Sequence, residues 1–337
     1  MLEEIRQHVT HVRVRSPQTY RNLSVFPLQH QADSELHYLT LAEALLHGKG
    51  AFTIKEVSGA GSVPELLVAN GLKEDVLILE GEELIGAKQN RVPNLTLLVP
   101  AGTEVRLPVS CVEAGRWSYA TPEFTEAPRT QFASGRARKV ASVSMSMRHS
   151  GLRHSDQGEV WGQIAEKAAS LGTHSPTAAM SDMYRDRQPQ LEDYAAALRE
   201  ATSGAHGAAF AVGARIIGLD IFDRAATCEK LAGKVLAGYA LEAVSEPCDK
   251  AFRVPTPAAV RRLLADLTSG EIQSYPALGA GTDLRFSGRD SVGGGLFVDN
   301  ALVHLAAFPA KRASMGPGHT ATDRARRYGG SNRSRAA

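Results

Sequence analysis

The sequence VLILEGEELIGAKQNRVPNLTLLVPAGTEVRLPVSCV, at residues 76–112, alternates short apolar segments with turn residues. Gly81 and Gly86 interrupt the apolar segments. Across residues 50–112 the turn signals, including the Pro-Ala-Gly turn at 100–102, recur at the spacing of roughly 8 to 12 residues that is typical of strands in a sandwich or a barrel. We therefore expect the first half of the chain to be strand-rich.

The flanking segments continue this pattern. The predicted strands of the first half are residues 23–28, 52–57, 66–68, 76–79, 84–86, 95–99 and 105–109. One short helix is predicted at residues 40–47, because Thr40 and Glu43 have the spacing of a capping box and Gly48 supplies a stop. Residues 1–22 are polar with little periodicity, which predicts an N-terminal extension.

The second half has the periodicity of amphipathic helices. Helices are predicted at residues 160–171, 191–198, 231–239 and 260–267. Asp156 is a suitable cap for the first of them, and Trp161 is expected in the core. Two hairpins are predicted at residues 208–222 and 295–308. Because helices need a sheet face to cover, we expect an α+β fold, in which a sandwich- or barrel-like N-terminal half packs with a helix-plus-hairpin C-terminal half.

The domain organisation follows from the same patterns. Residues 23–310 are expected to form a single α+β domain, with two lobes at 23–145 and 156–310 as the alternative. Residues 145–157 have few apolar anchors and predict a long exposed loop between the halves. Residues 311–337 are rich in Gly, Pro, Ser and Arg, which predicts a basic disordered tail.

Charge is distributed unevenly along the chain. The formal net charge is +2, but residues 311–337 contain seven Lys or Arg residues and one Asp, so this segment carries +6 and the remainder carries −4. A mildly acidic body does not attract polyanions as a whole, so we do not expect nucleic-acid binding.

Composition excludes further classes of protein. No run approaches the roughly 18 to 20 apolar residues that span a bilayer, and the N-terminal MLEEIRQH lacks the features of a secretory signal. The three cysteines, Cys111, Cys228 and Cys248, are too few and too scattered for a disulfide framework. We therefore expect a soluble cytoplasmic protein in a reducing compartment, with no membrane association.

The densest set of functional side chains lies at residues 80–117, where two polar segments each follow a strand. Side chains at neighbouring strand ends can converge on a ligand. The cationic members suit a phosphate or carboxylate, the amides supply donors and acceptors, and the indole supplies a stacking face. The candidate ligand-binding residues are Glu82, Lys88, Gln89, Asn90, Arg91, Arg116 and Trp117. Together they suit a phosphorylated nucleotide, and the alternative is a set of solvated loops.

Catalytic roles are also conceivable within this segment. Cys111 is a candidate nucleophile, with Glu113 or Glu83 as the acid or base and Arg116 lowering the thiol pKa. Nothing in the sequence places a histidine beside Cys111, so the alternative is an inert buried thiol.

Metal and phosphate-loop chemistry have weaker support. Glu80, Glu82 and Glu83 have the oxygen ligands that Mg²⁺ prefers, but acidic turns are usually only hydrated, and the histidines do not have the spacing of a zinc site. Gly293, Gly294 and Gly295 precede a hairpin instead of opening a helix. We expect no metal site, and the residues identify no cofactor.

Several motifs in a fixed order resemble one known family. They are residues 81–91 (GEELIGAKQNR), 99–101 (VPA), 108–117 (PVSCVEAGRW), 156–161 (DQGEVW) and 218–222 (GLDIF). The chain resembles the domain family named for its association with ADP-ribosylglycohydrolase and rhodanese-phosphatase proteins, over about residues 20–245 and on to 308.

The resemblance implies a place in NAD or ADP-ribose metabolism and no specific mechanism. One hypothesis is a protein that binds, and processes, a phosphorylated nucleotide-like ligand. The other is a non-catalytic regulatory or interaction module whose protein partner is an enzyme of that pathway.

Overall fold

A computed structural model describes residues 1–48, 50–58, 64–247 and 252–310. The predicted disordered tail and Cys248 lie outside the described residues. Within those ranges, no helix combines the length and the apolarity needed to cross a membrane.

Strands occur in both halves of the chain. Those of the first half are β1 Arg13–Val14, β2 Gln18–Tyr20, β3 Leu23–Gln29, β4 Tyr38–Thr40, β5 Phe52–Glu56, β6 Glu65–Asn70, β7 Asp75–Ile78, β8 Glu82–Gly86, β9 Arg91–Pro93, β10 Leu97–Val99, β11 Thr103–Cys111 and β12 Phe124–Thr130. Those of the second half are β13 Gly207–Val212, β14 Arg215–Phe222, β15 Glu271–Pro276, β16 Thr282–Ser287, β17 Ser291–Val298 and β18 Ala301–Pro309.

The largest described sheet combines strands from the first and second halves of the chain. Its strand order is β1-β3-β13-β14-β18-β17-β16-β15, with β2 also paired to β3. Every pairing is antiparallel, and β3 lies between β1 and β13 in the register Val25 to Phe210. Both predicted hairpins are present. The turn of the second contains Asp299 and Asn300 at positive φ, as a two-residue hairpin turn requires.

The remaining strands of the first half form two smaller sheets. One has the order β12-β8-β9-β11-β6-β5, and the other has the order β10-β7-β4, in which β4 and β7 are parallel. With a strand-rich first half and helices and hairpins later, the predicted α+β class is confirmed. The candidate residues lie at the ends of β8, β9 and β11.

Helices α1 to α8 cover the sheets. They are Leu2–Thr10, Leu41–Leu46, Ala133–Ser150, Gln157–Leu171, Met180–Asp186, Gln188–Leu198, Ala225–Val244 and Pro257–Ser269, and a short 3₁₀ helix spans Arg199–Thr202. The helices predicted at 40–47, 160–171, 191–198, 231–239 and 260–267 are confirmed as α2, α4, α6, α7 and α8. Thr40 and Glu43 form the predicted capping box, and Asp156 caps α4.

The sequence did not predict seven of the described strands, namely β1, β2, β4, β9, β12, β15 and β16. The structure differs from the sequence expectation in four further places. Residues 145–150 belong to α3, so the predicted loop is wrong there and spans only 151–156. Helix α3 lacks a clear apolar periodicity because its buried face carries the charged residues Arg136 and Lys139. The first 22 residues contain α1, which buries Ile5 and Val9. Helix α5 was not predicted, and Trp161, expected in the core, is 36% exposed.

Helix α3 carries a buried arginine that contacts the large sheet. Arg136 donates to both carboxylate oxygens of Asp220, at 2.6 and 3.0 Å, and its Nε donates to Glu80 at 3.0 Å. Lys139, also on α3, lies 2.7 Å from the second oxygen of Glu80. Glu80 lies between β7 and β8 and Asp220 on β14, so the arginine links two sheets.

Asp220 is held by further donors. Tyr239 donates to one of its oxygens at 2.9 Å, and Nε2 of His304 lies 3.1 Å from the other. Burial alone would raise the pKa of Asp220, but Arg136 and the hydrogen bond from His304 outweigh it and hold the pKa well below its usual range. The carboxylate is therefore charged, with its acceptor positions occupied.

We predict that Asp220→Asn lowers the free energy of unfolding by about 3 to 5 kcal/mol at neutral pH, because it leaves the buried guanidinium without its charge partner. Urea unfolding measures the change. A carboxyl group whose folded pKa is depressed stabilises the protein above its unfolded pKa of about 4, and this contribution is lost as the pH falls below that value. The difference between variant and wild type should therefore shrink at acid pH.

The control for this measurement is Asp193→Asn, which removes an exposed pair with Arg21 at 3.0 Å. Such pairs contribute about 0 to 1 kcal/mol. Equal destabilisation by the two variants would contradict the structural role of Asp220.

Candidate functional site

The turn between β8 and β9 requires a glycine at its start. Gly86 has a φ of +136°, and a Cβ atom there would lie 2.5 Å from Oγ1 of Thr121 and 2.6 Å from the carbonyl oxygen of Glu123. This close approach brings the loop after β11 against the β8–β9 turn. In the adjoining ladder Arg91 and Cys111 are register partners, so the two predicted polar segments meet at one edge.

Asn90 connects the two segments by hydrogen bonds. Its side-chain nitrogen donates to Glu83 at 3.1 Å, and its side-chain oxygen accepts from Arg116 at 3.1 Å. Its backbone N–H donates to Glu113 at 3.2 Å, and its carbonyl oxygen accepts from the backbone of Val112 at 3.0 Å. The side chain and the backbone of Asn90 therefore both hold the β8–β9 turn in place, on one side against β8 and on the other against the loop after β11.

Glu113 is occupied by donors on both oxygens. One accepts from Nε of Arg116 at 2.9 Å, and the other accepts from Oγ1 of Thr177 at 3.0 Å. Arg116 in turn donates to the carbonyl oxygen of Ala87 at 2.7 Å. The arrangement positions Arg116 and leaves Glu113 poorly placed to act as a free acid or base.

Arg91 is the least satisfied cation of the cluster. Its side chain is fully buried, and its Nη1 donates to Oε1 of Gln89 at 2.7 Å and also contacts the thiol of Cys111. Its Nη2 lies 3.7 Å from Glu56, and among the described residues no group accepts a hydrogen bond from Nη2 or Nε. One oxygen of Glu56 is likewise without a donor.

Two exposed aromatic rings cover these cations. The ring centroid of Trp117 lies 5.6 Å from the guanidinium carbon of Arg91 and 5.2 Å from Nζ of Lys88. The ring of Tyr119 lies 5.1 Å from the same Nζ. Trp117 is 47% exposed and Tyr119 is 51% exposed, so both present ring surface to solvent above a buried positive charge.

The two glutamates at the start of β8 have separate environments. Glu83 lies inside the cluster, bonded to Asn90 and Arg129. Burial raises its pKa and outweighs the opposing effect of Arg129. Glu82 contacts Lys234 of α7 instead, so the structure does not bring it together with the other candidates.

The alternative of solvated loops is wrong. The glutamates at 80, 82 and 83 and the four residues of the turn that follows are buried: Lys88, Gln89, Asn90 and Arg91. The loop after β11 folds over the turn, whereas Glu80 is covered by α3 and Glu82 is covered by α7.

Cys111 has the properties of an unreactive thiol. Burial raises its pKa to about 11, although Arg91 acts in the opposite direction. Its Sγ lies 3.0 Å from Oε1 of Gln89, and its backbone N–H and C=O both bond the side-chain amide of Gln157 on α4. A neutral buried thiol is a weak nucleophile.

Some members of the site were not among the predicted residues. The structure adds Glu56, Tyr119, Arg129, Gln157 and Thr177. Two of them carried a signal in the sequence. Tyr119 is a second aromatic residue only two positions after Trp117, and Gln157 lies in the family-like motif at residues 156–161. Glu56 and Thr177 are brought in only by folding. Over the described ranges, no group of three or more His, Cys, Asp or Glu residues is placed to hold a metal ion.

We predict that Cys111 resists iodoacetamide in the folded protein at about pH 8, because alkylation needs an accessible thiolate. Peptide mass spectrometry measures the modified fraction, and the same peptide labelled in urea is the control. Rapid labelling of the native protein would restore Cys111 as a candidate nucleophile.

Comparison with known proteins identifies the family. A family model described as the ARG and Rhodanese-Phosphatase-superfamily-associated Protein domain matches residues 11–308. Searches among curated proteins and among solved structures find no match. The match includes the turn of the candidate site, the loop after β11 and all the strands of the large sheet, of which only the last residue of β18 lies outside it. The chain therefore belongs to the ARG and Rhodanese-Phosphatase-superfamily-associated Protein domain family.

Proposed function

We propose that this protein binds a phosphorylated nucleotide-like ligand of NAD or ADP-ribose metabolism. The binding residues are Lys88, Gln89, Asn90, Arg91, Arg116 and Trp117, which we call the Arg91 site. The observation that carries the proposal is the buried guanidinium of Arg91, with two nitrogens that lack hydrogen-bond acceptors. We take ARG in the family name to stand for ADP-ribosylglycohydrolase, and on that basis the family supports the metabolic assignment.

The unmet donors of Arg91 favour an anionic ligand. A buried donor without an acceptor costs about 1 to 3 kcal/mol, and more when the group is charged. Nη2 and Nε are adjacent on the planar guanidinium, so they can together donate to two oxygens of one phosphate or carboxylate. The body of the protein is net acidic, so attraction of an anion depends on this local positive charge.

The aromatic cover favours a nucleotide over a simple phosphate. Trp117 presents an exposed ring directly above the cations, so a base that stacks on it lies next to the phosphate position. Because the same ring shields Arg91 from solvent, Trp117 must move for the phosphate to reach the guanidinium. The loop is bonded to the β8–β9 turn on both sides of Trp117, at Arg116 and at Ala120, so the proposal requires rotation of the Trp117 side chain.

The side chains at the site favour binding over catalysis. Glu113 is held on both oxygens, and the pKa of the Cys111 thiol is raised to about 11 by burial, so neither is prepared for a proton-transfer or nucleophilic step. These observations support a second candidate function, a non-catalytic regulatory module in the cytoplasm. Its protein partner would be an enzyme of the same pathway, and Trp117 and Tyr119 would form part of the contact surface.

We predict that Trp117→Ala weakens binding of ADP-ribose by roughly ten- to a hundredfold, because stacking of a base on an aromatic ring contributes about 1 to 3 kcal/mol. Isothermal calorimetry with ADP-ribose, NAD and AMP measures the affinities. Trp161→Ala is the matched control, since Trp161 is also partly exposed but lies on α4 outside the site.

Two results would overturn the proposal. One is the absence of binding by all three nucleotides, and the other is an equal loss in the two tryptophan variants. Lys88→Ala adds a further check, since it should weaken ADP-ribose more than adenosine, which has no phosphate. Chromatography of NAD and ADP-ribose after incubation with the protein separates the two candidate functions, because a binding module leaves both intact.

A further inference from the structure

A second candidate site lies beside the hairpin of β13 and β14, away from the residues of the Arg91 site. A cavity of about 510 Å³ lies between α7, strands β13 and β14, the end of α6 and the 3₁₀ helix that follows it. This volume is within the range of about 300 to 1,000 Å³ that is typical of small-molecule sites. None of the residues that line it belongs to the Arg91 site.

The floor of this cavity is apolar. It is lined by buried side chains from β3, α6, the hairpin and α7: Val25, Leu198, Phe210, Phe222, Val235 and Leu236. The two phenylalanines have fixed orientations, because Phe210 stacks on Tyr239 and Phe222 stacks on His304. A rigid aromatic and aliphatic floor favours an apolar group as the buried part of a ligand.

Asp220 and Cys228 also line the floor of the cavity, and neither needs a hydrogen-bond partner from a ligand. Asp220 already accepts two hydrogen bonds on each carboxylate oxygen, from Arg136, Tyr239 and His304. Burial raises the pKa of Cys228 to about 12, so its thiol stays neutral and behaves as a small polarisable hydrophobe. The floor therefore does not select for a charged buried group.

Gly233 is an exposed glycine that lines the edge of the cavity. It lies in the interior of α7, where glycine costs about 1 kcal/mol relative to alanine, yet a Cβ atom at this position would meet no atom within 4 Å. Gly233 and Ala195 of α6 line both this cavity and a neighbouring one of about 520 Å³. Larger side chains at these positions would occupy the space between the helices.

Charged residues surround the entrance. Arg199 and Glu200 lie on the 3₁₀ helix, and Glu229 and Lys230 lie opposite them on α7. All four are exposed, so the polar part of a ligand can remain at the entrance in contact with water.

We propose that this cavity binds an amphipathic small molecule, with an aromatic or acyl body on the Phe210 and Phe222 floor and a polar end at the charged entrance. Gly233 and Ala195 are the residues that leave room for the body. The proposal concerns a site separate from the Arg91 site and does not depend on nucleotide binding.

The experiment uses anilinonaphthalene sulfonate, a fluorescent aromatic anion, with decanoate as the competitor. We expect the full-length protein to bind the dye at one saturable site and decanoate to displace it. Gly233→Leu should weaken the dye by roughly tenfold or more, because the added side chain occupies the space of the ligand. Gly162→Leu is the matched control, since Gly162 is also a helical glycine with open space at its Cβ position, on α4.

A second pair of variants tests the same cavity in case Gly233→Leu does not fold. Ala195→Leu should weaken the dye as Gly233→Leu does, whereas Ala196→Leu, at the next position on α6, should leave it unchanged. Circular dichroism and urea unfolding establish that each variant is folded. The proposal is overturned if the wild type shows no saturable binding, if decanoate does not displace the dye, or if the control variants lose binding equally. Unchanged ADP-ribose binding in Gly233→Leu would show that the two sites are independent.

Discussion

The ion pair between Arg136 and Asp220 is the interaction on which the arrangement of the sheets depends. It is bidentate and fully buried, and Glu80 extends it from the large sheet to the strands of the first half. Taking a guanidinium and two carboxylates out of water is costly unless every donor and acceptor has a partner. Because the geometry is complete only when α3, β14 and the β7–β8 connection are all in place, the network favours one relative arrangement of these elements.

Arg91 is buried in the same way but is not satisfied in the same way. Arg136 has carboxylate partners at hydrogen-bond distance, whereas Arg91 has one carboxylate at 3.7 Å and two nitrogens without acceptors. This difference separates a structural cation from a candidate binding cation, although both are fully buried. The apolar cavity beside Gly233 is a third case, in which the polar groups are satisfied and the proposal of a ligand rests on the unfilled space.

Local sequence was sufficient for much of the secondary structure. The capping box at Thr40 and Glu43, the cap at Asp156 and the Asp299-Asn300 turn depend on neighbouring residues, and all are present. Helix α3 was missed because hydrophobic periodicity assumes an apolar buried face, and here that face includes Arg136 and Lys139. Trp161 was misplaced for a related reason, since an aromatic residue on a helix is usually in the core but this one lies on the outer face of α4.

The sequence alone determined the α+β class, most of the helices and strands, the family, and the segment at 80–117 in which the candidate residues are concentrated. Only the tertiary structure decided that Arg91 is buried beneath Trp117, that Glu82 faces α7, and that Glu113 is held by Thr177. The reason is physical. Helix caps, turns and periodicity arise from contacts within a few residues, whereas the satisfaction of a buried charge depends on groups that approach from distant parts of the chain.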